Sequence, residues 1–146
     1  MDKVGVDAIE THLLTIARHV FQSFSNPASQ GWLTALQRAQ LAFGNQGPDI
    51  FARLLDVLQS IRCARTSCFM FNAPTCAHCA QIATEHERRM LVAIASIRRD
   101  NVGRARAELM MLCEGASTQA VLAAIERLIA VLPAPERHVS AASFAQ

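Results

Sequence analysis

The chain has 146 residues, of which 51% are hydrophobic and 18% are charged, and its formal net charge at pH 7 is +2. This length suffices for one domain with a buried core, and so small a charge gives no argument for nucleic-acid binding. No apolar stretch reaches the length of a membrane span without a charge, and the N-terminus lacks the basic-then-apolar pattern of a signal peptide. We therefore expect a cytoplasmic protein with no membrane contact.

Hydrophobic residues recur at three- and four-residue intervals along most of the chain, which predicts an all-α fold. The first predicted helix runs from about Val6 to Phe24 and ends before Pro27, because proline cannot continue the hydrogen-bond ladder. The second spans Ser29 to Phe43, and we expect Trp32, Leu33, Leu36 and Phe43 to face inward from it.

The third predicted helix begins near Pro48 and ends near Cys63. Residues 64–75 are not predicted to be helical, and Thr75 is a candidate N-cap for a fourth helix that runs from Cys76 to Arg99. A fifth helix at 104–114 and a sixth at 118–132 complete the pattern.

These elements predict a single-domain bundle of about six helices over residues 1–135. Within it, a Cys-rich insert at 63–79 joins the third and fourth helices as a metal-stapled loop, and residues 136–146 form a flexible tail. The helices are largely apolar and weakly charged, so the first and sixth are candidate interface elements for a protein partner or a homodimer.

Four of the five cysteines lie close together in the spacing C-x4-C-x7-C-x2-C. If the third and fourth helices pack antiparallel, the two pairs meet at one end of this hairpin. A helix N-terminus also favours thiolate over thiol, and four thiolates can enclose a zinc ion in a tetrahedral shell. The predicted zinc ligands are Cys63, Cys68, Cys76 and Cys79.

Other chemistry remains open for the same residues. His78 or His86 could replace one cysteine as a metal ligand, and an iron–sulfur cluster could take the place of zinc. Cys76-Ala-His-Cys79 is also compatible with a thiol–disulfide pair at a helix start, although such motifs usually follow a β-strand. The role of Cys113 is not defined by its position.

A dense group of arginines around the junction of the fourth and fifth helices offers contacts to nucleic-acid phosphates. The nearby carboxylates are a competing explanation, since they can pair with these side chains on a solvated face. The candidate contacts are Arg88, Arg89, Arg98, Arg99, Arg104 and Arg106.

The segment from Glu108 to Ile125 resembles, over about eighteen residues, the helical pair in some bacterial response-regulator output domains, with Gly115 at its turn. It departs from that pattern because the second helix is almost wholly apolar, whereas base edges are read by polar side chains. We therefore expect the sixth helix to be a core or dimer helix.

The sequence contains no nucleophile elbow, glycine-rich phosphate loop or H-E-x-x-H motif, and it identifies no small-molecule substrate. A shell of four thiolates also leaves no open position for a catalytic water. We therefore favour a non-enzymatic regulatory or adaptor protein with a structural zinc site that acts through protein contacts. A DNA-binding regulator that uses the arginine-rich region is the first alternative, and a thiol redox or iron–sulfur sensor is the second.

Overall fold

The computed structural model describes residues 6–135, and over this range the chain is helical and contains no β-strand. The all-α class predicted from the sequence is confirmed, while the tail predicted at 136–146 lies outside the described residues. No helix in residues 6–135 is long and apolar enough to cross a membrane. The α-helices are α1 (Ala8–Ser25), α2 (Gly31–Phe43), α3 (Gly47–Ala64), α4 (Glu85–Arg98), α5 (Val102–Leu112) and α6 (Gln119–Ile129).

Two of these helices begin with a capping box, in which an N-cap side chain and a glutamate three residues later exchange hydrogen bonds with each other's backbone. Asp7 and Glu10 form this pair at the start of α1, and Thr84 and Glu87 form it at the start of α4. The prediction that α4 begins after Thr75 is therefore wrong. No glutamate follows Thr75 at the third position, so that threonine lacks the reciprocal partner that Thr84 has.

Helix α2 packs closely against its neighbours through small residues at four-residue steps. Gly31, Ala35 and Ala39 are its buried positions. A Cβ atom on Gly31 would collide with the backbone carbonyl of His19 in α1. Because the backbones of α1 and α2 come this close, large side chains do not fit between the two helices.

Three bulky apolar residues of α2 point away from the core as a consequence, whereas Phe43 at its end packs against the core. Trp32 is 53% exposed, Leu33 is 38% exposed and Leu41 is 82% exposed. The prediction that Trp32 and Leu33 face inward is wrong, because the small stripe of α2 rather than its large residues forms the contact with α1 and α3.

The helices pack in a way that separates α3 from α4. Helix α1 packs mainly on α2, α3 packs on α2 and α6, and α4 packs mainly on α5. The predicted antiparallel hairpin of α3 and α4 is therefore not a main contact of the fold. Helices α1 and α6 bury apolar faces in the core, and their role as interface elements remains a prediction.

Candidate functional site

Residues 65–84 connect α3 to α4, and we refer to them as the cysteine segment. This segment has no α-helix and only one 3-10 turn, Cys79–Gln81. Cys63 lies in the last turn of α3, as the sequence predicts, and Cys68 lies early in the segment. Cys76 and Cys79 lie before α4 rather than in its first turn, so the predicted stabilisation of their thiolates by that helix N-terminus does not apply.

A buried arginine of α1 holds the cysteine segment in place. The Nε atom of Arg18 donates to Oε2 of Glu87 at 2.8 Å, and Nη2 donates to Oε1 of the same carboxylate at 2.9 Å. The guanidinium also donates to the carbonyl oxygens of Ala80 and Ile82, at 2.9 and 2.8 Å. Because the side chains of Arg18 and Glu87 are only 4% and 1% exposed, these bonds are shielded from water.

Asn72 closes the part of the segment that contains the paired cysteines. Its backbone N–H donates to Oε2 of Glu87 at 3.1 Å, and its Nδ2 donates to the carbonyl oxygens of Cys79 and Ile82. Thr84 adds a bond of 2.7 Å from its hydroxyl to the carbonyl of Met70. Residues 72–82 therefore form a loop that is tied across its base and to the core.

The beginning of the segment is held by Glu114, which follows α5. Its carboxylate accepts hydrogen bonds from the backbone N–H and the hydroxyl of both Thr66 and Ser67. These bonds, led by that from the Ser67 hydroxyl, lower the pKa of Glu114 to about 2. Glu114 itself adopts the left-handed conformation with φ of 58°, which turns the chain at the end of α5.

His86 contacts other groups of the protein at both ring nitrogens. Its Nδ1 accepts from the backbone N–H of Met70 at 2.8 Å, and its Nε2 lies 3.3 Å from Nη2 of Arg65. Burial, followed by the charge of Arg65, lowers the pKa of His86. The predicted role of His86 as a substitute metal ligand would require at least one of these contacts to break.

The five cysteines occupy three different environments. Cys76 and Cys79 are half-buried and form a disulfide, with Cα atoms 5.2 Å apart, and the backbone N–H of Cys79 donates to Sγ of Cys76 at 3.2 Å. Cys63 and Cys68 are free thiols exposed to solvent. Cys113 is fully buried, and burial raises the pKa of its thiol.

The predicted zinc site is not formed by these positions. Among residues 6–135, no group of three or more His, Cys, Asp or Glu side chains comes together in a way that could hold a metal ion. The sequence places the four cysteines close along the chain, but α3 has its main contacts with α2 and α6, away from the loop that carries Cys76 and Cys79. Zinc binding by Cys63, Cys68, Cys76 and Cys79, with His78 or His86 as substitutes, remains a prediction.

Most of the candidate nucleic-acid contacts are bound to carboxylates. Arg98 has a side chain that is 1% exposed and donates to Asp7 and Glu10, so it is not available to a phosphate. Arg99 also pairs with Glu10. Arg88 and Arg89 pair with Glu85 and Glu108. Arg104 and Arg106 are exposed and have no ion pair among the described residues.

The residues that organise the segment were not among those singled out from the sequence. Two signals pointed to them: a charge at Arg18 within the apolar face that carries Leu14 and Phe21, and the Thr84-x-x-Glu87 pattern of a capping box. Nothing local marks Asn72, because its partners lie on the far side of the loop.

No protein-family model matches this chain, and the searches of curated proteins and of solved structures found no match either. A function for this protein therefore has to be argued from its own geometry.

Proposed function

We propose that this protein is a non-enzymatic regulatory protein that acts through protein contacts and whose Cys76–Cys79 pair responds to thiol redox conditions. One observation carries the proposal: these two half-buried sulfur atoms form a disulfide on a surface loop, whereas Cys63 and Cys68 remain free. Pairs in C-x-x-C spacing exchange readily between dithiol and disulfide forms when their sulfur atoms are accessible.

The proposed reaction is a thiol–disulfide exchange. Closing the bond removes two protons and two electrons from the thiols of Cys76 and Cys79. The electrons and protons pass to a second disulfide, of a small molecule or of a protein, which is reduced to two thiols. A mixed disulfide with one of the two cysteines is the intermediate of this exchange.

The disulfide is suited to signalling because the fold does not depend on it. A bond that closes so short a loop contributes at most about 2 kcal/mol in the loop-entropy description. Arg18, Asn72 and Glu87 hold the same loop by hydrogen bonds that need no disulfide. Opening the bond therefore releases the turn between Cys76 and Cys79 while the helices stay packed.

Exposed apolar side chains are available for the proposed protein contacts in three regions of residues 6–135. Trp32, Leu33 and Leu41 are exposed on α2, and Val102, Met110 and Met111 are exposed on α5. In the cysteine segment, Met70 is 61% exposed and Ile82 is 50% exposed. Because the backbone N–H of Ile82 donates to the carbonyl of Cys79 at 3.1 Å, a change in the turn that contains Cys79 reaches the exposed residues of the cysteine segment directly.

The test is differential alkylation of the purified full-length chain, read by peptide mass spectrometry. We expect Cys63 and Cys68 to be alkylated without reductant, and Cys76 and Cys79 to become reactive together as the ratio of reduced to oxidised glutathione is raised. Cys63→Ser is the control, and it should leave the midpoint of this titration unchanged. Equal reactivity of Cys76, Cys79, Cys63 and Cys68 at every ratio would remove the proposal.

Structural zinc is a second candidate, and the hydrogen bond from the Cys79 N–H to Sγ of Cys76 favours it. Such a bond stabilises a thiolate in the reduced pair, and a thiolate is the form that binds zinc. This alternative needs further ligands from Cys63, Cys68 or His78. Elemental analysis separates the two candidates: about one zinc per chain in reduced protein, lost in Cys76→Ser, would favour zinc, whereas metal-free reduced protein favours the redox pair.

A further inference from the structure

A groove of about 330 Å³ opens between the C-terminal ends of α1 and α3 and the first part of the cysteine segment. Its volume is at the lower end of the range that small-molecule sites occupy. The groove does not include Cys76 or Cys79, so what it binds is independent of the proposed redox function.

Aromatic rings form the apolar part of this groove. Phe21 of α1 stacks on Phe69 with ring centroids 4.4 Å apart and on Phe71 with centroids 5.6 Å apart. Phe24 meets Phe21 edge-on at 6.1 Å. Three of these rings are only partly buried, so they present ring surface to the groove as well as to the core. A flat, apolar ligand would gain contact with these faces.

The charged part of the groove is positive. Its lining includes Arg62 and Arg65 and contains no carboxylate. Arg65 is bound in place and its charge is paired. It donates to the carbonyls of Leu112, Ser67 and Cys68, it lies 3.5 Å from the Glu114 carboxylate, and its side chain is 3% exposed.

Arg62 is the cation that remains available. Its guanidinium lies over the ring of Phe24 at 3.8 Å, and its Nη1 donates to the neutral side-chain amide of Gln59 at 3.0 Å. No carboxylate among residues 6–135 pairs with it. A bound carboxylate would receive charge-assisted hydrogen bonds from the unused N–H groups of Arg62, and these are stronger than neutral ones.

We propose that this groove is a binding site for a small aromatic carboxylate, with its ring against the partly buried Phe69 and Phe71 and its carboxylate on Arg62. The free thiol of Cys68 lines the same groove, whereas the free thiol of Cys63 does not. Ligand in the groove therefore shields one exposed thiol and leaves the other as an internal reference.

The first experiment compares 2-naphthoate with its neutral analogue 2-naphthamide by calorimetry on the full-length chain. We expect saturable binding of 2-naphthoate in the submillimolar range, and binding of 2-naphthamide to be weaker by about tenfold because it lacks the charge that Arg62 recognises. Equal affinity for the two compounds, or no binding of 2-naphthoate at millimolar concentration, would overturn the proposal.

The second experiment places the ligand. With saturating 2-naphthoate, the rate of Cys68 alkylation by iodoacetamide should fall at least threefold, while that of Cys63 stays constant.

Arg62→Gln should weaken 2-naphthoate binding by about tenfold, since it removes one charged partner of the carboxylate. Arg106→Gln, which removes an exposed charge from α5, should not change it. A uniform change at both thiols, or an equal loss in the two variants, contradicts a site in this groove. An unchanged melting temperature of Arg62→Gln confirms that it is folded.

Discussion

At the scale of single residues, Arg18 and Glu87 link α1 to the start of α4 through an ion pair that is almost fully buried. We predict that Arg18→Met lowers the free energy of unfolding by about 3–5 kcal/mol, because it leaves the Glu87 carboxylate buried without its charged partner. Urea unfolding followed by circular dichroism measures this change.

The matched control is Arg127→Gln, which breaks the exposed pair between Arg127 and Asp56. Exposed pairs contribute less than about 1 kcal/mol, so this variant should unfold almost like the parent protein. A similar, small effect of both variants would show that Arg18 is not a structural anchor of the cysteine segment.

Glu114 gives a second prediction at this scale, which concerns pH. Its folded-state pKa of about 2 lies below the ordinary value of 4.5, so the stabilisation it supplies is present above pH 4.5 and is lost as the pH falls towards 2. We expect the difference in melting temperature between the parent and Glu114→Gln to be largest near neutral pH and to shrink steadily below pH 4.5. A difference that stays constant down to pH 2 would contradict the four hydrogen bonds to Thr66 and Ser67.

At the scale of helices, close packing makes two glycines respond in opposite ways to the same substitution. A Cβ on Gly47, in the first turn of α3, would lie 2.7 Å from the carbonyl oxygen of Ala39, whereas a Cβ on Gly103 in α5 meets no atom within 4 Å. We predict that Gly47→Ala destabilises the protein by about 1–3 kcal/mol through overpacking of backbone. Thermal unfolding at a fixed pH measures this effect.

Gly103→Ala is the control for helix propensity without crowding. It should stabilise the protein by about 0.4–1 kcal/mol, because alanine restricts the unfolded chain and fits the helical backbone. No loss of stability in Gly47→Ala would show that α2 and α3 do not approach as closely as in this structure, and a loss in Gly103→Ala would show that the site in α5 is crowded.

At the scale of the whole molecule, the helical core and the cysteine segment are distinct in their packing. The core is formed by buried side chains of the α-helices, whereas the segment is held mainly by hydrogen bonds and by the contact of Phe69 and Phe71 with Phe21. We predict that reduction of the disulfide increases amide hydrogen exchange within residues 72–82 and leaves exchange in α1, α3 and α4 unchanged.

The same measurement on Cys76→Ser should match the reduced parent protein, which controls for effects of the reductant elsewhere. Faster exchange throughout the helices on reduction would mean that the disulfide supports the whole fold, contrary to its proposed role in regulation.

The positions of the helices were largely predictable from the sequence, but the direction in which the large residues of α2 point was not. Helix bounds follow from neighbouring residues: the end of α1 before Pro27 and the end of α3 near Cys63 agree with the structure within a few residues. The direction in which Trp32 points depends on how closely α2 approaches α1, and that distance is set by Gly31, Ala35 and Ala39 acting with residues of another helix.

In the candidate site, too, the sequence predicted local features but not the contacts between distant segments. The cysteine spacing identified Cys76 and Cys79 as neighbours, because residues three apart come close in any tight turn. It did not indicate that Cys63 and Cys68 stay apart from them as free thiols, since that depends on the packing partners of α3. Arg18 and Glu87 are far apart in the chain, so no local pattern joins them.

The sequence by itself therefore determined the all-α class and the approximate bounds of the helices, except for the start of α4. These properties arise from interactions between residues a few positions apart. The tertiary structure alone decided which thiols remain free, where Arg18 is buried and which aromatic rings line the groove beside Arg62. Each of these depends on contacts between distant segments, and such contacts form only when the helices pack.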